Sequence, residues 1–260
     1  MEKFGICLLN LAPVRKDPSD GAEMTTQLLF GDLVQITYQH NQWCNIRQEY
    51  DNYEGWADGK QLFPLSEQNY RTIASLPTAV NLDLVNSLSN NSSSIPQLLL
   101  FGSSLPGLIK KTFYVGDIIY TFEGEYFSPD EEVTRENIVD NAYSFRGCPY
   151  LWGGKTPFGA DCSGFTQVVY KASGIRLLRD TKEQATQGET LNMLQEAKPG
   201  DLAFFDNPKG NISHVGILLS ENRIIHASGT VRIDSIDHEG IYNREEKRYT
   251  HKLRLIKSLL

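Results

Sequence analysis

One stretch decides the fold of the C-terminal half of this chain: Tyr150-Leu-Trp-Gly-Gly-Lys-Thr-Pro-Phe-Gly-Ala-Asp-Cys-Ser-Gly-Phe165. Its first half is a loop, because glycine adopts backbone angles closed to other residues and proline cannot continue a helix. Asp161 then occupies the position of a helix N-cap. Phe165, Val168 and Val169 have the i, i+3, i+4 spacing of a helix that packs on one face. The stretch therefore predicts a glycine-rich loop leading into a buried helix that begins at Cys162.

The position of Cys162 predicts a reactive thiol. The positive end of a helix dipole favours a thiolate in the first turn, and the thiolate is the nucleophilic form of cysteine. The alternative is a small apolar core residue, which is the usual fate of a lone cysteine. Histidines downstream of the helix favour the nucleophile, because a thiol that attacks a carbonyl needs a base to take its proton.

The composition describes an ordinary globular protein and excludes several classes of partner. The chain has 260 residues, of which 40% are hydrophobic and 22% are charged. A net charge of -7, from 25 basic and 32 acidic residues, argues against nucleic acid and anionic membrane surfaces as partners. Four scattered cysteines form no CxxC pair and no zinc-binding spacing, which is typical of a reducing compartment.

The N-terminus predicts a strand rather than a signal peptide. The apolar run from Gly5 to Val14 is interrupted by Asn10 and Pro13, and no Ala-x-Ala cleavage site follows it. No apolar run approaches the roughly 20 residues that span a bilayer. We therefore expect a cytoplasmic protein without membrane insertion.

Three domains are expected, and residues 1–65 form the first. Val34, Ile36 and Tyr38 alternate as in a strand with one buried face. The motifs Ala12-Pro-Val-Arg15 and Gly55-Trp56 resemble a bacterial SH3-like barrel. Within it, Glu23-Met-Thr-Thr-Gln-Leu-Leu-Phe-Gly-Asp32 and Asp51-Asn-Tyr-Glu-Gly-Trp56 resemble the version that accompanies certain cell-wall peptidases.

Residues 66–127 are expected to form a second small SH3-like barrel. Asn and Ser make up eight of the nine residues from Asn86 to Ser94, which predicts a flexible loop. Strands are predicted at 97–101 and 113–122, separated by glycines and a proline.

Residues 128–260 are expected to form the catalytic domain. Ser128-Pro-Asp-Glu131 has the pattern of a capping box and predicts a helix that starts there. After the Cys162 helix, strands are predicted at 202–205, 214–219 and 223–227. The predicted fold class is α+β, with the helix that carries the cysteine packed on an antiparallel sheet.

His214 and His226 are the candidate partners of Cys162. A base needs a third group that holds its tautomer, and these histidines lie on adjacent predicted strands. A two-residue turn at 221–222 would set His226 opposite Ile217, on the face away from His214, whereas a longer turn or a bulge would restore a common face. His40, His238 and His251 are predicted to be surface residues.

A zinc site made of Cys162, His214 and His226 is an alternative, but no fourth ligand has a recognisable spacing. We expect no metal and no cofactor.

Five motifs in a fixed order resemble the NlpC family of papain-like cysteine peptidases. They are Tyr150 with Trp152, Asp161-Cys-Ser-Gly-Phe165, Pro199-Gly-Asp201, His214-Val-Gly-Ile217 and Ile225-His-Ala-Ser228. The resemblance covers about residues 130–260 and implies that Cys162 is the nucleophile, His214 the base and His226 the orienting residue. It also implies that Tyr150 and the Cys162 backbone N–H stabilise the oxyanion.

A narrower resemblance implies the substrate. Arg179-Asp-Thr181 is similar to the dipeptidyl-peptidase-like members that recycle wall peptides, in which the acid binds the free amine of L-Ala together with a Glu and a Tyr of the first SH3-like domain. Glu23 and Tyr53 match those two positions. The remaining residues expected to line the substrate pocket are Trp152, Asp161, Ser163 and Thr181.

The expected activity is hydrolysis of the γ-D-glutamyl-L-diamino acid bond in murein stem peptides that begin with free L-Ala, by a monomer. One alternative is an exported hydrolase of intact peptidoglycan, which a signal peptide or a basic groove would favour. A second is a non-catalytic wall-binding module, against which the complete Cys, His, His set argues.

Overall fold

The computed structural model describes residues 3–260, which form two units, Met1–Glu131 and Glu132–Leu260. In the first unit, residues 66–127 share a hydrophobic core with the N-terminal strands. Ile6 and Phe30 pack in the same buried cluster as Leu88, Leu99 and Phe113. The region that the sequence predicts as a second domain is therefore continuous with the first in its packing.

The N-terminal strands of the first unit form one seven-stranded antiparallel sheet, in the order β3-β2-β6-β5-β4-β1-β7. These strands are β1 (Phe4–Ile6), β2 (Leu11–Arg15), β3 (Met24–Leu29), β4 (Leu33–His40), β5 (Trp43–Gln48), β6 (Glu54–Asp58) and β7 (Phe63–Leu65). Alternate residues such as Ala12, Val14 and Val34 are buried in a core of their own, as the alternation predicts.

The rest of the first unit contains a helix and two smaller antiparallel sheets, in the orders β10-β9-β13-β12 and β11-β8-β14. The elements are α1 (Glu67–Ala74), β8 (Thr78–Asn81), β9 (Val85–Asn90), β10 (Ser93–Leu100), β11 (Ser104–Pro106), β12 (Thr112–Val115), β13 (Ile118–Phe122) and β14 (Tyr126–Phe127). A second SH3-like barrel in this region stays a prediction.

Two sequence predictions in this region are wrong. The Asn/Ser-rich segment is the β9–β10 hairpin rather than a flexible loop, because its one apolar residue, Leu88, is fully buried and β9 pairs with strands on both sides. The predicted strand at 113–122 is also a hairpin, since Gly116 turns the chain with a positive φ of 57°.

Among the residues that the structure describes, the second unit contains three α-helices, one short 3₁₀ helix (Leu194–Glu196) and nine strands. The α-helices and strands are α2 (Arg135–Ser144), β15 (Lys155–Thr156), β16 (Gly159–Ala160), α3 (Cys162–Ala172), α4 (Thr181–Gln184), β17 (Glu189–Leu191), β18 (Leu202–Asp206), β19 (Ile212–Ser220), β20 (Arg223–Ser228), β21 (Thr230–Ile236), β22 (Gly240–Asn243) and β23 (Arg248–Ser258). Within residues 3–260, no helix is long and apolar enough to cross a membrane.

Helix α2 begins six residues later than the sequence predicts. Its N-cap is Thr134, whose hydroxyl accepts a hydrogen bond from the Asn137 backbone N–H. The predicted capping box is only half realised, because Glu131 accepts from the Ser128 backbone N–H at 3.0 Å and no helix follows it. Ile138 and Ala142 of α2 are buried, as the apolar spacing predicts.

The large sheet of the second unit closes into a six-stranded barrel. Its order is β17-β23-β18-β19-β20-β21-β22, and β22 pairs back onto the long strand β23. Helix α3 packs against β19 and β20. The predicted α+β architecture of a helix on an antiparallel sheet is confirmed, while the closure of the sheet is a feature that the sequence does not predict.

A β-bulge at Leu219 sets the register between β19 and β20. Ser220 pairs with Arg223, as a two-residue turn requires, but the register then shifts so that Gly216 pairs with His226. His214 lies two residues from Gly216 and so has the same face as His226. A Cβ on Gly216 would lie 2.8 Å from His226 Cβ, so the glycine leaves room for the imidazole.

Gly164 gives a test of the packing between the loop and α3. A Cβ at this position would lie 2.1 Å from the Gly154 carbonyl oxygen, a backbone atom that cannot swing aside. We expect Gly164→Ala to lower the free energy of unfolding by about 1–3 kcal/mol. Urea unfolding measures this, with Gly21→Ala as the control because its Cβ would meet only Ser19 Oγ at 3.9 Å. Equal midpoints for wild type and Gly164→Ala would contradict this packing.

Candidate active site

Cys162 is the first residue of α3, as the sequence predicts. Asp161 is the N-cap, and its carboxylate accepts a hydrogen bond from the Gly164 backbone N–H at 2.6 Å. Cys162 Sγ lies 3.8 Å from Thr181 Oγ1 and also interacts with the backbone of Val215 on β19. The helix and the barrel together hold the thiol next to the strand that carries His214.

The environment of Cys162 acts against the thiolate that the helix dipole favours. Burial raises the pKa of Cys162 to about 11, and the negative charge of Asp161 adds to the effect. Interactions with Thr181, Val215 and Arg179 lower this pKa but do not offset the burial. The helix dipole and the desolvation of the sulfur therefore act on this thiol in opposite directions, and the reactive thiol stays a prediction.

His214 and His226 are both buried and are hydrogen-bonded to each other. The distance from His214 Nε2 to His226 Nδ1 is 2.8 Å. Burial lowers the pKa of His214 well below 6.5, and the charges of His226 and His251 lower it further. The imidazole of His214 is therefore neutral and able to accept a proton.

His251 is not the surface residue that the sequence predicts. It lies half-buried on β23, and its ring stacks on that of His214 with a centroid distance of 4.1 Å. Burial is the main reason that the pKa of His251 falls to about 4. The sequence could not indicate this position, because His251 follows His214 by 37 positions and their strands come close only in the sheet order β23-β18-β19, on either side of β18. His40 and His238 are exposed, as predicted.

A buried ion pair fixes the start of α3. Arg179 donates to both carboxylate oxygens of Asp161, at 3.1 Å and 2.7 Å, and to Ser163 Oγ at 2.8 Å. The Gly153 backbone N–H donates to the same carboxylate at 2.8 Å. Asp161 and Ser163, which the sequence predicts to line the substrate pocket, are buried and engaged in this network. The sequence indicates Arg179 only as a neighbour of Asp180.

The other predicted residues of this unit lie at or near the thiol. Burial raises the pKa of Tyr150 to about 12, with a further contribution from Cys162, so the phenol remains a hydrogen-bond donor at neutral pH. Thr181 is adjacent to Cys162, and Asp180 precedes it in the chain as a solvent-exposed N-cap of α4. Trp152 is 59% exposed on the glycine-rich loop.

Glu23 and Tyr53 belong to the first unit. Glu23 is exposed and immediately precedes β3, where its carboxylate lies 3.7 Å from Lys16 Nζ. Tyr53 is half-buried and immediately precedes β6. Because Arg15 at the end of β2 pairs with Met24 on one side and Trp56 on the other, both residues lie at the same end of the sheet.

Three histidines are the one group in residues 3–260 with metal-ligand geometry. His214, His226 and His251 each offer a ring nitrogen, and these nitrogens lie within 4.8 Å of one another. Two of the nitrogens already form the hydrogen bond between His214 and His226, and His226 Nε2 lies 3.0 Å from Asp234 Oδ2. The arrangement is that of a hydrogen-bonded chain, and the predicted absence of a metal stays a prediction.

Comparison with known proteins places this geometry in a family. Residues 147–251 match the NlpC/P60 family, and residues 14–62 match the bacterial dipeptidyl-peptidase SH3 domain. The γ-D-glutamyl-L-lysine dipeptidyl-peptidase of Bacillus subtilis (strain 168) is 31% identical over 249 residues, which cover 88% of this chain and 76% of that protein. The chain belongs to the NlpC/P60 family. This confirms the predicted family and the version of its SH3-like domain, and makes the NlpC/P60 protein a cysteine peptidase.

Two further comparisons extend over nearly the whole NlpC/P60 chain. Dipeptidyl-peptidase 6 of Lysinibacillus sphaericus is 25% identical over 272 residues, covering 93% of this chain and 94% of that protein. The crystal structure of an NlpC/P60 family protein from Bacillus cereus ATCC 10987 superposes with a TM-score of 0.81 at 20% identity, covering 98% of this chain and 99% of that chain. The latter similarity supports the fold.

The two buried histidines of this NlpC/P60 peptidase are expected to differ in how far kcat falls when each is replaced. His214→Ala removes the base and should lower kcat on the order of 10²–10⁴-fold. His226→Gln keeps a hydrogen-bonding side chain beside His214, so its loss should be smaller by about tenfold or more. Steady-state hydrolysis measures both, with the exposed His238→Gln as control. Small and equal losses in both variants would assign the pair a structural role, and inactivation by a chelator would revive the zinc alternative.

The lowered histidine pKa values predict a loss of stability in mild acid. The pKa of His251 is about 4 in the folded protein, so between pH 6.5 and 4 the unfolded chain binds more protons than the folded one. Stability must therefore fall as the pH falls through this window, and His214 acts in the same direction. Urea midpoints at pH 7 and pH 5 should differ less in His251→Gln than in wild type. His40→Gln should retain the full difference, and a wild-type midpoint that rises on acidification would refute the prediction.

Proposed function

We propose that this NlpC/P60 peptidase hydrolyses the γ-D-glutamyl-L-diamino acid bond of free murein stem peptides and releases L-Ala-D-Glu from their N-terminus. One observation carries the proposal. Thr181 Oγ1 lies 3.8 Å from Cys162 Sγ, and the exposed carboxylate of Asp180 belongs to the preceding residue. An acidic group therefore lies about one residue, roughly 4 Å along the backbone, from the group beside the nucleophile.

The size of the substrate fits this spacing. In L-Ala-γ-D-Glu-L-Lys the scissile carbonyl is separated from the free ammonium by one alanine and the side chain of D-Glu, a span of roughly 7–10 Å. With that carbonyl at Cys162, the ammonium reaches the neighbourhood of Asp180. A carboxylate is the natural partner of an ammonium group, and the bond between them is charge-assisted.

The chemistry follows from the neutral thiol and the neutral imidazole. Cys162 Sγ attacks the γ-carbonyl carbon of D-Glu while His214 takes the thiol proton, so neither group needs to carry a charge before the substrate is bound. Tyr150 and the Cys162 backbone N–H donate to the oxyanion that forms. His214 then gives its proton to the leaving amine of the diamino acid. Water, deprotonated by the same imidazole, cleaves the thioester and regenerates the thiol.

The relatives support this substrate over intact peptidoglycan. Those that cover most of the chain are named as γ-D-glutamyl-L-lysine dipeptidyl-peptidases and dipeptidyl-peptidase 6. The proposal includes Glu23 and Tyr53 as further partners of the ammonium, with Trp152 beside the peptide. It also includes a monomer in the cytoplasm, which cell fractionation and size-exclusion chromatography test.

A pair of peptides tests the proposed specificity. N-acetylation of L-Ala-γ-D-Glu-L-Lys removes the positive charge and adds bulk, so the carboxylate that should meet the ammonium loses its partner. We expect kcat/KM for the acetylated peptide to fall on the order of a thousandfold. Cys162→Ala should hydrolyse neither peptide.

Two carboxylate variants extend the test. Asp180→Ala and Glu23→Ala should lower kcat/KM for the free tripeptide. They should also reduce the ratio of kcat/KM for the free tripeptide to kcat/KM for the acetylated one. Asp20→Ala, an exposed acid three residues from Glu23, is the matched control and should behave as wild type. Comparable rates on free and acetylated peptide would instead support the exported wall hydrolase.

A further inference from the structure

The hydrogen-bonded chain from His214 does not end at His226. His226 Nε2 lies 3.0 Å from Asp234 Oδ2, and Asp234 is 8% exposed on the neighbouring strand β21. His226 pairs with Arg232 across the two strands, so Asp234 is the next residue along the same face of the sheet. The chain thus runs from the base through a second imidazole to a buried carboxylate.

Asp234 is held as a carboxylate. Arg232 Nη2 donates to Asp234 Oδ1 at 3.0 Å, and Arg232 Nε lies 2.9 Å from Oδ2 in an ion-pair contact without hydrogen-bond alignment. Burial opposes ionisation of Asp234, but the interactions with His226 and Arg232 prevail and lower its pKa. Glu245 also pairs with Arg232, at 3.2 Å, from the segment that follows β22.

A carboxylate at this position determines which ring nitrogen of His226 and of His214 carries the proton. An ionised carboxylate only accepts hydrogen bonds, so His226 Nε2 must carry a proton. In a neutral imidazole the other nitrogen is then an acceptor, so His226 Nδ1 must accept from His214 Nε2. His214 Nε2 is therefore protonated, and the free lone pair of the neutral His214 is on Nδ1.

The reverse direction would disable the base. If Nε2 of His226 lacked its proton, His226 Nδ1–H would donate to His214 Nε2, and the proton of His214 would occupy Nδ1. The nitrogen that takes the proton of Cys162 would then be occupied already. His251, which stacks on His214 from β23, has its Nδ1 2.9 Å from Thr250 Oγ1 and does not join this chain of bonds.

We propose that Asp234, held by Arg232, is a positioning residue that fixes the tautomers of His226 and His214 and so selects the nitrogen of His214 that acts as the base. The proposal rests on the assigned roles of Cys162 and His214 and adds a fourth residue to them.

Asp234→Asn tests the proposal with almost no change in volume. Asparagine has one oxygen and one NH₂ where Asp234 has two oxygens. Both oxygens of Asp234 accept contacts from donors, so the NH₂ of asparagine faces a donor in either orientation of the amide. With the NH₂ toward His226, the amide donates to His226 Nε2, and the hydrogen bond between His226 and His214 reverses its direction. With the NH₂ toward Arg232 Nη2, two donors face each other. We expect kcat to fall on the order of 10²–10⁴-fold with little change in KM.

The matched control is Asp237→Asn. This carboxylate lies three residues further on, accepts from the Tyr249 hydroxyl at 2.5 Å, and has no bond to either histidine in the described chain. It should keep activity within about twofold of wild type, as surface substitutions usually do. A loss in Asp237→Asn equal to that in Asp234→Asn would reduce the effect to general destabilisation of β21 and would overturn the proposal.

Two readouts separate tautomer selection from folding. Nitrogen NMR of ¹⁵N-labelled histidine should show the unprotonated nitrogen of His214 at Nδ1 in wild type and at Nε2, or divided between the two, in Asp234→Asn. In Asp234→Asn, alkylation of Cys162 by iodoacetamide at pH 7 should slow to the rate seen in His214→Ala. The difference in rate from wild type should shrink toward pH 10, where the thiol ionises without a base. Unchanged tautomers and alkylation in a folded Asp234→Asn would refute the proposal.

The alkylation experiment also distinguishes this proposal from the proposed substrate. Alkylation needs no peptide. If the wild-type enzyme fails to cleave the tripeptide and Asp234→Asn still slows alkylation, the proposed substrate is refuted and the positioning role is kept. Hydrolysis and alkylation that depend on His214 but not on Asp234 would refute the positioning role and keep the substrate.

Discussion

The hydrogen bond between His214 and His226 depends on one irregularity of the sheet. A strict two-residue hairpin would turn His226 to the other face of β20, and the extra residue Leu219 corrects this. The 2.8 Å bond then fits because Gly216, directly opposite His226, has no side chain. The hydrogen-bonded chain behind His214 therefore follows from that register.

The charges of Asp161 and Arg179 act in opposite directions on Cys162. Asp161 is needed to cap α3, yet its negative charge raises the pKa of Cys162. Arg179 is bonded to both oxygens of that carboxylate and lowers the same pKa. The ion pair is almost fully buried, so removing either partner would leave an uncompensated charge, which costs about 3–5 kcal/mol. Arg179 thereby offsets part of the negative charge that the helix cap places beside Cys162, while burial of the sulfur raises the pKa of the thiol.

Local patterns predict the parts of the structure whose causes are local. The N-cap Asp161, the helix at Cys162 and the strands that carry both histidines follow from residues within one or two turns of each other. The roles of His251 and Asp234 do not follow from local patterns, because His251 meets His214 across the intervening strand β18 and Asp234 meets His226 only through the register of the β20–β21 pairing. The hairpin of β9 and β10 is a further case. Its Asn/Ser-rich composition predicts a loop, whereas strand pairing and the burial of Leu88 make it a hairpin.

The carboxylates of the catalytic unit differ in how readily a substrate cation could reach them. Asp161 is bonded to Arg179 and to two backbone N–H groups, Asp201 is paired with Arg135 at 2.7 Å, and Asp234 is held between His226 and Arg232. Each of these is buried, and a substrate cation could reach it only by displacing a protein partner at the cost of several kcal/mol. Asp180 differs from these three in its exposure to solvent, and it follows the buried Arg179 directly in the chain. Arg179 is therefore bonded to the acid that caps the helix of Cys162, and the next residue, Asp180, lies at the surface, where we propose that it meets the ammonium of the peptide.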